Sequence, residues 1–340
     1  MIAKPVSIRE VAERAGVSLG TVSNVLNRPE AVAKSTRQAV LSAIDELKYV
    51  RNASASRLRA KKSTVMGVLV VDLANPFIAD LIEGTEKALS ERGYSAIVSG
   101  TGFDLEQLEG RLQLMEEYRV AGVVLPPVYL AEVGPRVDLM RSRGMSFVYF
   151  SSDSAINACA ADIDQVRGGR MAGEHLLEIG RRRIVYVGGP QDLPYSTMRL
   201  AGLRDALAGW KDVRLEVVRI PALTGMDGFA ATEAILAHDP DGVFCANDLS
   251  ALGVLRGLLE HDRRVPADIS LVGYDDISFA EIAAVPLTTI RQPARAIGAA
   301  AAELLVQEAN EPEHVHRQVA FAPELIVRRS SDPSARGTTR

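Results

Sequence analysis

Two hydrophobic rhythms meet near Thr64. Before it, apolar residues recur at helical spacing: Val11, Ala12 and Ala15 form one stripe, Val22, Val25 and Leu26 a second, and Val40, Leu41, Ile44 and Leu47 a third. After it, continuous apolar runs of strand length alternate with amphipathic stretches. The pattern predicts strands over 65–71, 95–99, 120–125, 147–150, 184–187, 214–219, 242–245 and 269–273. Between them it predicts helices over 77–92, 105–118, 167–179, 199–207, 228–237 and 249–259. A run apolar throughout, such as Val68-Leu69-Val70-Val71, suits a parallel strand buried on both faces. Two successive series of strand–helix units predict two doubly wound lobes, with an alternation that restarts after Asp164.

The three N-terminal stripes come with matching punctuation. Ser7 is placed to cap the first helix, and Glu10, three residues on, completes a capping box. Gly16 follows where a helix end needs positive φ. Ser18 then caps a second helix. Two short helices joined by a tight turn are the helix-turn-helix plan, in which the second helix is presented to the DNA major groove. Charge agrees: residues 1–62 carry 12 Lys/Arg against 5 Asp/Glu, while the remainder carries 27 against 38. A basic head on an acidic body fits a phosphate-binding module attached to a domain with another task. The net charge of −4 conceals it.

The segment 51–62 is small, polar and basic, with Leu58 its single large apolar residue. Alone it has too little apolar surface to stay folded. Two readings stay open: a flexible linker, or a segment that becomes helical on DNA.

At 340 residues and 47% hydrophobic content the chain can bury a large core in two or three domains. No apolar run reaches membrane-span length, and no apolar segment follows the first charges as a signal peptide would require, so a cytoplasmic protein without membrane contact is expected. Cys159 and Cys245 lie in apolar surroundings and read as buried reduced thiols. His314 and His316 are the only close histidine pair and read as a solvated loop, so no metal site is expected. Gly188-Gly189-Pro190 lacks the spacing of a phosphate loop, and no nucleophile–base pair is visible. No cofactor and no enzymatic activity are expected.

In doubly wound folds ligands sit outside the carboxyl ends of the strands, so two facing lobes enclose a cleft lined by strand-end loops. Those loops carry Asn75 and Phe77 after the first strand, Arg199 opening the helix after Gly188-Gly189-Pro190, Asn247 after 243–245, Asp275 after Gly273, and Gln292 after 287–291. Amides, a guanidinium and a carboxylate can pair with vicinal hydroxyls while an aromatic ring covers the apolar face of a sugar.

The chain resembles the LacI/GalR family of bacterial transcriptional repressors over nearly its whole length. The resemblance is carried by Val11-Ala12-Glu13-Arg14-Ala15-Gly16-Val17-Ser18 with Thr21-Val22-Ser23, by Asn75-Pro76-Phe77, by Asn247-Asp248-Leu249-Ser250-Ala251-Leu252-Gly253, and by Val272-Gly273-Tyr274-Asp275-Asp276 with Pro286-Leu287-Thr288-Thr289-Ile290. It implies an α/β protein with an all-α helix-turn-helix head and a two-lobed core like that of periplasmic binding proteins. The implied layout is a headpiece over 1–50, a hinge over 51–62, a first effector subdomain over 63–161 plus 292–322, a second over 162–291 plus 323–330, and a disordered tail over 331–340. It further implies a homodimer on a palindromic operator, with DNA contacts from Ser7, Ser18, Leu19, Gly20, Thr21, Ser23, Asn24, Asn27, Thr36, Arg37, Ala55, Leu58 and Arg59. Leu58 would wedge into the central minor groove. Ribose-binding relatives match at Asn75, Phe77, Arg199, Asn247, Asp275 and Gln292, which implies a small-molecule effector, a sugar first among them.

The chain also departs from that pattern. Asn24 stands where many members carry Arg, which favours adenine over guanine, and Gly20 offers no side chain to a base. Ser151-Ser152 replaces an Asp-Arg pair of ribose-binding proteins, with Asp153 next to it to restore a carboxylate; Ser152 and Asp153 therefore join the expected effector contacts. Leu193 and Leu223 fill places often polar or aromatic. The tail after Ser330 lacks the leucine heptads that build tetramers in one branch of the family, so a dimer is expected. The alternatives are a regulator of the same family controlled by a protein partner or phosphorylated metabolite, or one sensing a nucleobase or nucleoside.

Overall fold

The computed structural model describes residues 6–49, 63–151, 157–191, 193–311, 313–332 and 334. The chain divides into two compact units, Met1–Ser63 and Thr64–Arg340.

In the first unit α1 (Ile8–Ala15) starts at the capping box: Ser7 Oγ accepts the Glu10 N–H at 3.4 Å, and the Glu10 carboxylate accepts the Ser7 N–H at 2.6 Å. Gly16 ends it with φ 65°. Ser18 Oγ accepts the Thr21 N–H at 3.1 Å and starts α2 (Leu19–Asn27). A 3-10 turn over Pro29–Ala31 leads to α3 (Lys34–Glu46). Val11, Ala12, Val22, Val25, Val40 and Ala43 form the core. Leu41 does not join the third stripe as expected; it is 46% exposed. Residues 40, 43 and 44 share one helical face, and position 41 sits about 100° away from 40.

The second unit contains two six-stranded sheets. The chain builds β1 (Val65–Val70), α4 (Pro76–Glu91), β2 (Ser95–Gly100), α5 (Leu105–Glu117), β3 (Gly122–Leu125), α6 (Leu130–Ser142), β4 (Ser146–Tyr149) and β5 (Cys159–Ile163). It then builds α7 (Gln165–Glu178), β6 (Arg183–Gly188), α8 (Pro194–Leu207), β7 (Arg214–Arg219), α9 (Gly225–Ala230), α10 (Thr232–Leu236), β8 (Gly242–Cys245), α11 (Asp248–Glu260) and β9 (Ser270–Asp275). Last come α12 (Ser278–Ile282), β10 (Thr288–Arg291), α13 (Ala294–Asn310), β11 (Gln318–Phe321) and β12 (Glu324–Ile326). The first sheet runs β11-β5-β4-β3-β1-β2 and the second β12-β10-β9-β8-β6-β7. All pairs are parallel except β10 with β12. The chain therefore crosses between sheets three times: after β5, after β10 and after β11.

Several expectations need correcting. The first crossing lies after Ile163, not after 161, because β5 completes the first sheet through Ile163. The pattern over 130–142 gave no helix, yet α6 forms there; its polar and apolar residues are poorly segregated and Pro135 interrupts them. The Ala-rich α13 was also missed, since alanine gives little contrast between buried and exposed faces. Arg199 does not open its helix: Pro194 occupies the first turn, where its fixed φ is favourable, and Arg199 sits mid-helix. Nor does the ordered chain end at 330. Ser331 is 2% exposed and its hydroxyl lies 2.7 Å from both His175 Nε2 and Thr288 Oγ1.

α13 lies against α4 on the first sheet at a separation set by two glycines. A Cβ on Gly84 would collide with the Arg295 carbonyl, and one on Gly298 with the Leu81 carbonyl. Arg295 then reaches back across this seam to Asp80 and Glu83, at 2.7 and 2.8 Å.

Candidate functional site

The carboxyl ends of strands from both sheets open onto one cavity of about 320 Å³. Asn75, Phe77, Arg199, Asn247, Asp275 and Gln292, predicted from separate loops, all line it. Ser152 and Asp153 lie outside the described residues.

Each side chain is positioned by a different local device. Asn75 is the N-cap of α4; its Oδ1 accepts the Phe77 N–H at 3.0 Å, which leaves the amide NH2 for other partners. Phe77, in the first turn, packs against the apolar cores of both sheets. Asn247 caps α11: its Oδ1 accepts from the Ser250 N–H and hydroxyl at 3.0 and 2.6 Å, while its amide donates to the Leu223 carbonyl at 2.9 Å. One N–H of Asn247 is left for a ligand, so its role is largely structural. Gln292 follows β10, where the chain crosses back to the first sheet, and donates to Asp275 Oδ1 at 2.6 Å.

Arg199 and Asp275 form the polar centre. Arg199 is 3% exposed; its Nε donates to Gln165 Oε1 at 2.8 Å and its Nη1 donates to the Ala246 carbonyl. The guanidinium carbon stands 3.6 Å from the centre of the Tyr274 ring and 5.1 Å from that of Tyr195, held by cation–π attraction. Asp275 ends β9 with φ 115°, a conformation that favours glycine, so the surrounding structure pins its carboxylate in place. Burial pushes the Asp275 carboxyl up to about 6, against the opposing pull of Arg199, Gln292 and Asn75. Behind it, burial and then the Asp275 charge raise Asp248 well above the usual carboxylate range. Asp248 accepts from Thr289 Oγ1 at 2.6 Å and from the Ile277 N–H at 2.9 Å, which fixes the turn after Asp275. Burial also raises the Tyr195 phenol, which stays neutral.

Among the lining residues that the sequence reading did not name are Phe103, Asp162, Gln165 and Tyr195. Gln165 matters most. It donates to Asp162 Oδ1 at 3.2 Å and accepts from Arg199, so it ties the carboxyl end of strand β5 in the first sheet to a helix of the second lobe. Only the first crossing between the sheets could have flagged it, and the missed strand over Cys159–Ile163 hid that point.

On the first unit, Leu19, Gly20 and Asn24 are exposed along α2, and Thr21 and Ser23 are partly so. The Ser7 and Ser18 hydroxyls serve the helix caps, and Thr21 Oγ1 lies 2.9 Å from Ser18 Oγ. Thr36 and Arg37, both half-buried, fall in the first turn of α3; Asn27 closes α2. Ala55, Leu58 and Arg59 lie outside the described residues. Cys159 and Cys245 are buried and not disulfide-bonded. The solvated-loop reading fails for His314, whose side chain is only 4% exposed and packs against Cys159.

Residues 7–52 match the profile of bacterial regulatory proteins of the lacI family, and residues 174–331 that of the periplasmic binding protein-like domain. The chain is 34% identical over 333 residues to the HTH-type transcriptional repressor PurR of Vibrio campbellii (strain ATCC BAA-1116), covering 95% of this chain and 97% of that protein. It is 31% identical over 335 residues to the ribose operon repressor of Escherichia coli (strain K12), covering 96% and 99%. Among solved structures it is similar to the lac repressor dimer bound to operator and the anti-inducer ONPF, with TM-score 0.84 and 30% identity over 96% of this chain and 99% of that one. It is similar too to the transcriptional regulator CelR–cellobiose complex, with TM-score 0.71 and 33% identity over 96% and 100%. Among the described residues no helix is long and apolar enough to cross a membrane. With a helix-turn-helix head and a two-sheet ligand-binding body matched along almost the entire sequence, the chain belongs to the lacI family of bacterial regulatory proteins, as a transcriptional repressor with an effector-binding sensor unit.

Proposed function

We propose that this repressor senses a small polyhydroxylated ligand, a pentose or related sugar, in the cavity between its two sheets, and that the ligand sets its affinity for a palindromic operator. The carrying observation is the convergence of Asn75, Arg199, Asp275 and Gln292 on one cavity walled by Phe77, Phe103, Phe150 and Tyr195. Convergent amide, guanidinium and carboxylate groups between rings suit hydroxyls on a compact ring. The ribose operon repressor and the CelR–cellobiose complex, both similar over nearly the full chain, support a carbohydrate effector.

On this reading the chain works as a homodimer. Each head lays α2 in a major groove, with Leu19, Gly20 and Asn24 facing the bases, while Leu58 from each hinge enters the central minor groove. The ligand binds one arrangement of the lobes better than the other, and that difference is the free energy passed to the DNA. The chain is proposed to act by binding alone, without catalysis, in the cytoplasm where its operator lies.

The aromatic walls favour a second reading, a planar nucleobase or nucleoside stacked on Phe77 or Tyr195. A thermal-unfolding panel of pentoses, hexoses, cellobiose, sugar phosphates and nucleobases on the full chain tests both. A true effector at a hundred times its Kd adds about 2.7 kcal/mol of stability. A nucleobase that stabilises while sugars do not would replace the first reading with the second. If no compound stabilises the chain and a partner protein alters operator binding, direct sensing is wrong.

A further inference from the structure

Away from the cleft, at the opposite edge of the first sheet, four side chains face one point. Cys159 is the first residue of β5, Glu308 lies in the last turn of α13, and His314 and His316 sit in the segment that leads into β11. In a parallel sheet the amino ends of the strands share one edge, so this cluster lies at the edge opposite the cavity. His314 Nε2 is 3.3 Å from Cys159 Sγ, 3.1 Å from His316 Nδ1 and 3.5 Å from Glu308 Oε2. His316 Nδ1 is 3.8 Å from Cys159 Sγ, and all four atoms lie within 4.8 Å of one another. A tetrahedron of nitrogen, oxygen and sulfur ligands around zinc, with bonds of about 2.0–2.3 Å, has edges of roughly 3.3–3.6 Å.

The hydrogen bonding leaves these atoms as electron-pair donors. His314 Nδ1 is 3.0 Å from the Glu311 carbonyl, which can only accept, so Nδ1 carries the proton and Nε2 presents its lone pair to the cluster. Glu308 Oε1 accepts the Phe147 N–H at 3.0 Å and faces Arg141 at 3.7 Å, but its buried Oε2 has no hydrogen-bond partner. A buried carboxylate oxygen left unsatisfied is costly and calls for an explanation. The Arg317 N–H, 3.5 Å from Cys159 Sγ, is placed to support a thiolate. Three of the four side chains are nearly inaccessible; His316 alone is exposed.

We infer that Cys159, Glu308, His314 and His316 form a structural zinc(II) site that staples the start of β5 to the end of α13 and to the segment before β11. The mixed sulfur–imidazole–carboxylate set suits a borderline-soft divalent ion, and four protein ligands close the coordination shell. On binding, the Cys159 thiol passes its proton to solvent, and the thiolate and the Glu308 carboxylate together balance the two charges of the metal.

The test uses the full-length protein, stripped with chelator and titrated with zinc against a chromophoric competitor, and with cobalt(II) as a spectroscopic probe. The wild type should bind one zinc per chain, and cobalt should give a sulfur-to-metal charge-transfer absorption together with the intense visible bands of a tetrahedral site. Cys159→Ser should abolish the charge-transfer absorption and weaken zinc binding by more than about a hundredfold, since even outer partners cost tenfold or more. His316→Ala, made at the exposed ligand so that folding is spared, should weaken zinc binding by at least about tenfold and remove the zinc-dependent rise in Tm. The inference is overturned by a wild type without cobalt–thiolate absorption, or by equal zinc stoichiometry and affinity in the wild type and both variants.

Discussion

Arg199 and Asp275 face each other at 3.9 Å with only 4% of either side chain exposed, and neither has its charge fully met by the other. The guanidinium spends its hydrogen bonds on Gln165 and the Ala246 carbonyl, and the carboxylate receives Gln292. An under-paired buried ion pair lining a cavity is a site held ready for hydroxyls that can bridge the two. A buried pair of this kind adds little net stability, yet breaking it from one side strands a charge.

Arg199→Met should therefore lower the stability of the sensor unit by about 3–5 kcal/mol and abolish effector binding. Adding Asp275→Asn should recover most of that stability, because no charge is left buried alone and asparagine tolerates positive φ better than most residues, but it should not recover binding. Denaturant unfolding and calorimetry of the three variants check this. A double variant as unstable as Arg199→Met would show that the carboxylate is not the stranded group.

The Asp275 carboxyl titrates near 6 in the folded chain against an ordinary value of 3.8. The folded state thus holds this proton more tightly than the unfolded one. Its contribution to the ligand-free protein is fully present below about pH 4 and is lost as pH rises through 6. Asp248, raised in the same direction, adds to that trend. Sugar binding has the opposite sign: hydroxyls donate to the ionised carboxylate, so affinity should fall as pH drops below about 6. Calorimetric titrations between pH 5 and 7.5 on wild type and Asp275→Asn separate this group from the rest. An equal pH slope in both proteins would remove Asp275 as the cause.

The alternation of apolar runs made the two lobes legible, because parallel strands buried on both faces write themselves as unbroken Val, Leu and Ile. Cleft residues were legible for a related reason: Asn75 and Asn247 cap helices directly after strands, and a cap position is a place in the fold as well as a residue type. Helix Leu130–Ser142 was not legible, since its stability comes from Val133, Val137 and Met140 packing on the sheet and not from a clean amphipathic pattern. Gln165 was invisible because its role depends on Asp162 and Arg199 meeting in space. The pairing of His314 with Cys159 spans 155 residues and leaves no trace in local periodicity.

The exposed face of α2 carries Asn24 with no charged residue along the helix. Asn24→Arg should shift base preference from adenine to guanine at one position in each half-site, by about 1–3 kcal/mol. Selection of bound sequences from a randomised operator library would reveal the change. Ser18→Ala at the α2 cap should instead cost about 1 kcal/mol of head stability and weaken all operators alike. A uniform loss for Asn24→Arg would mean that this position contacts backbone and not bases.

The close seam between α4 and α13 gives a purely steric prediction. Gly84→Ala would drive a methyl group into the Arg295 carbonyl, and neither helix can retreat without disturbing the sheet beneath it. A loss of at least 1–3 kcal/mol is expected, roughly the cost of overpacking, with a lower Tm for the sensor unit. Arg295→Ala removes only exposed ion pairs with Asp80 and Glu83 and should cost less than about 1 kcal/mol. Equal effects would place the seam's stability in the ion pairs.

Gln165 offers a way to separate sensing from signalling. It contacts Asp162 on one side and Arg199 on the other, so it joins the lobes through hydrogen bonds that persist only while both keep their present arrangement. Gln165→Leu keeps the volume and removes both bonds. Losing a support of Arg199 should weaken effector affinity by about tenfold, in line with one hydrogen bond to a charged group. Losing the link should also reduce the factor by which the effector changes operator affinity, because less of the binding energy then depends on lobe arrangement. Operator binding measured with and without saturating effector gives that factor directly. If it is unchanged while effector affinity falls, Gln165 positions Arg199 and carries no signal between the lobes.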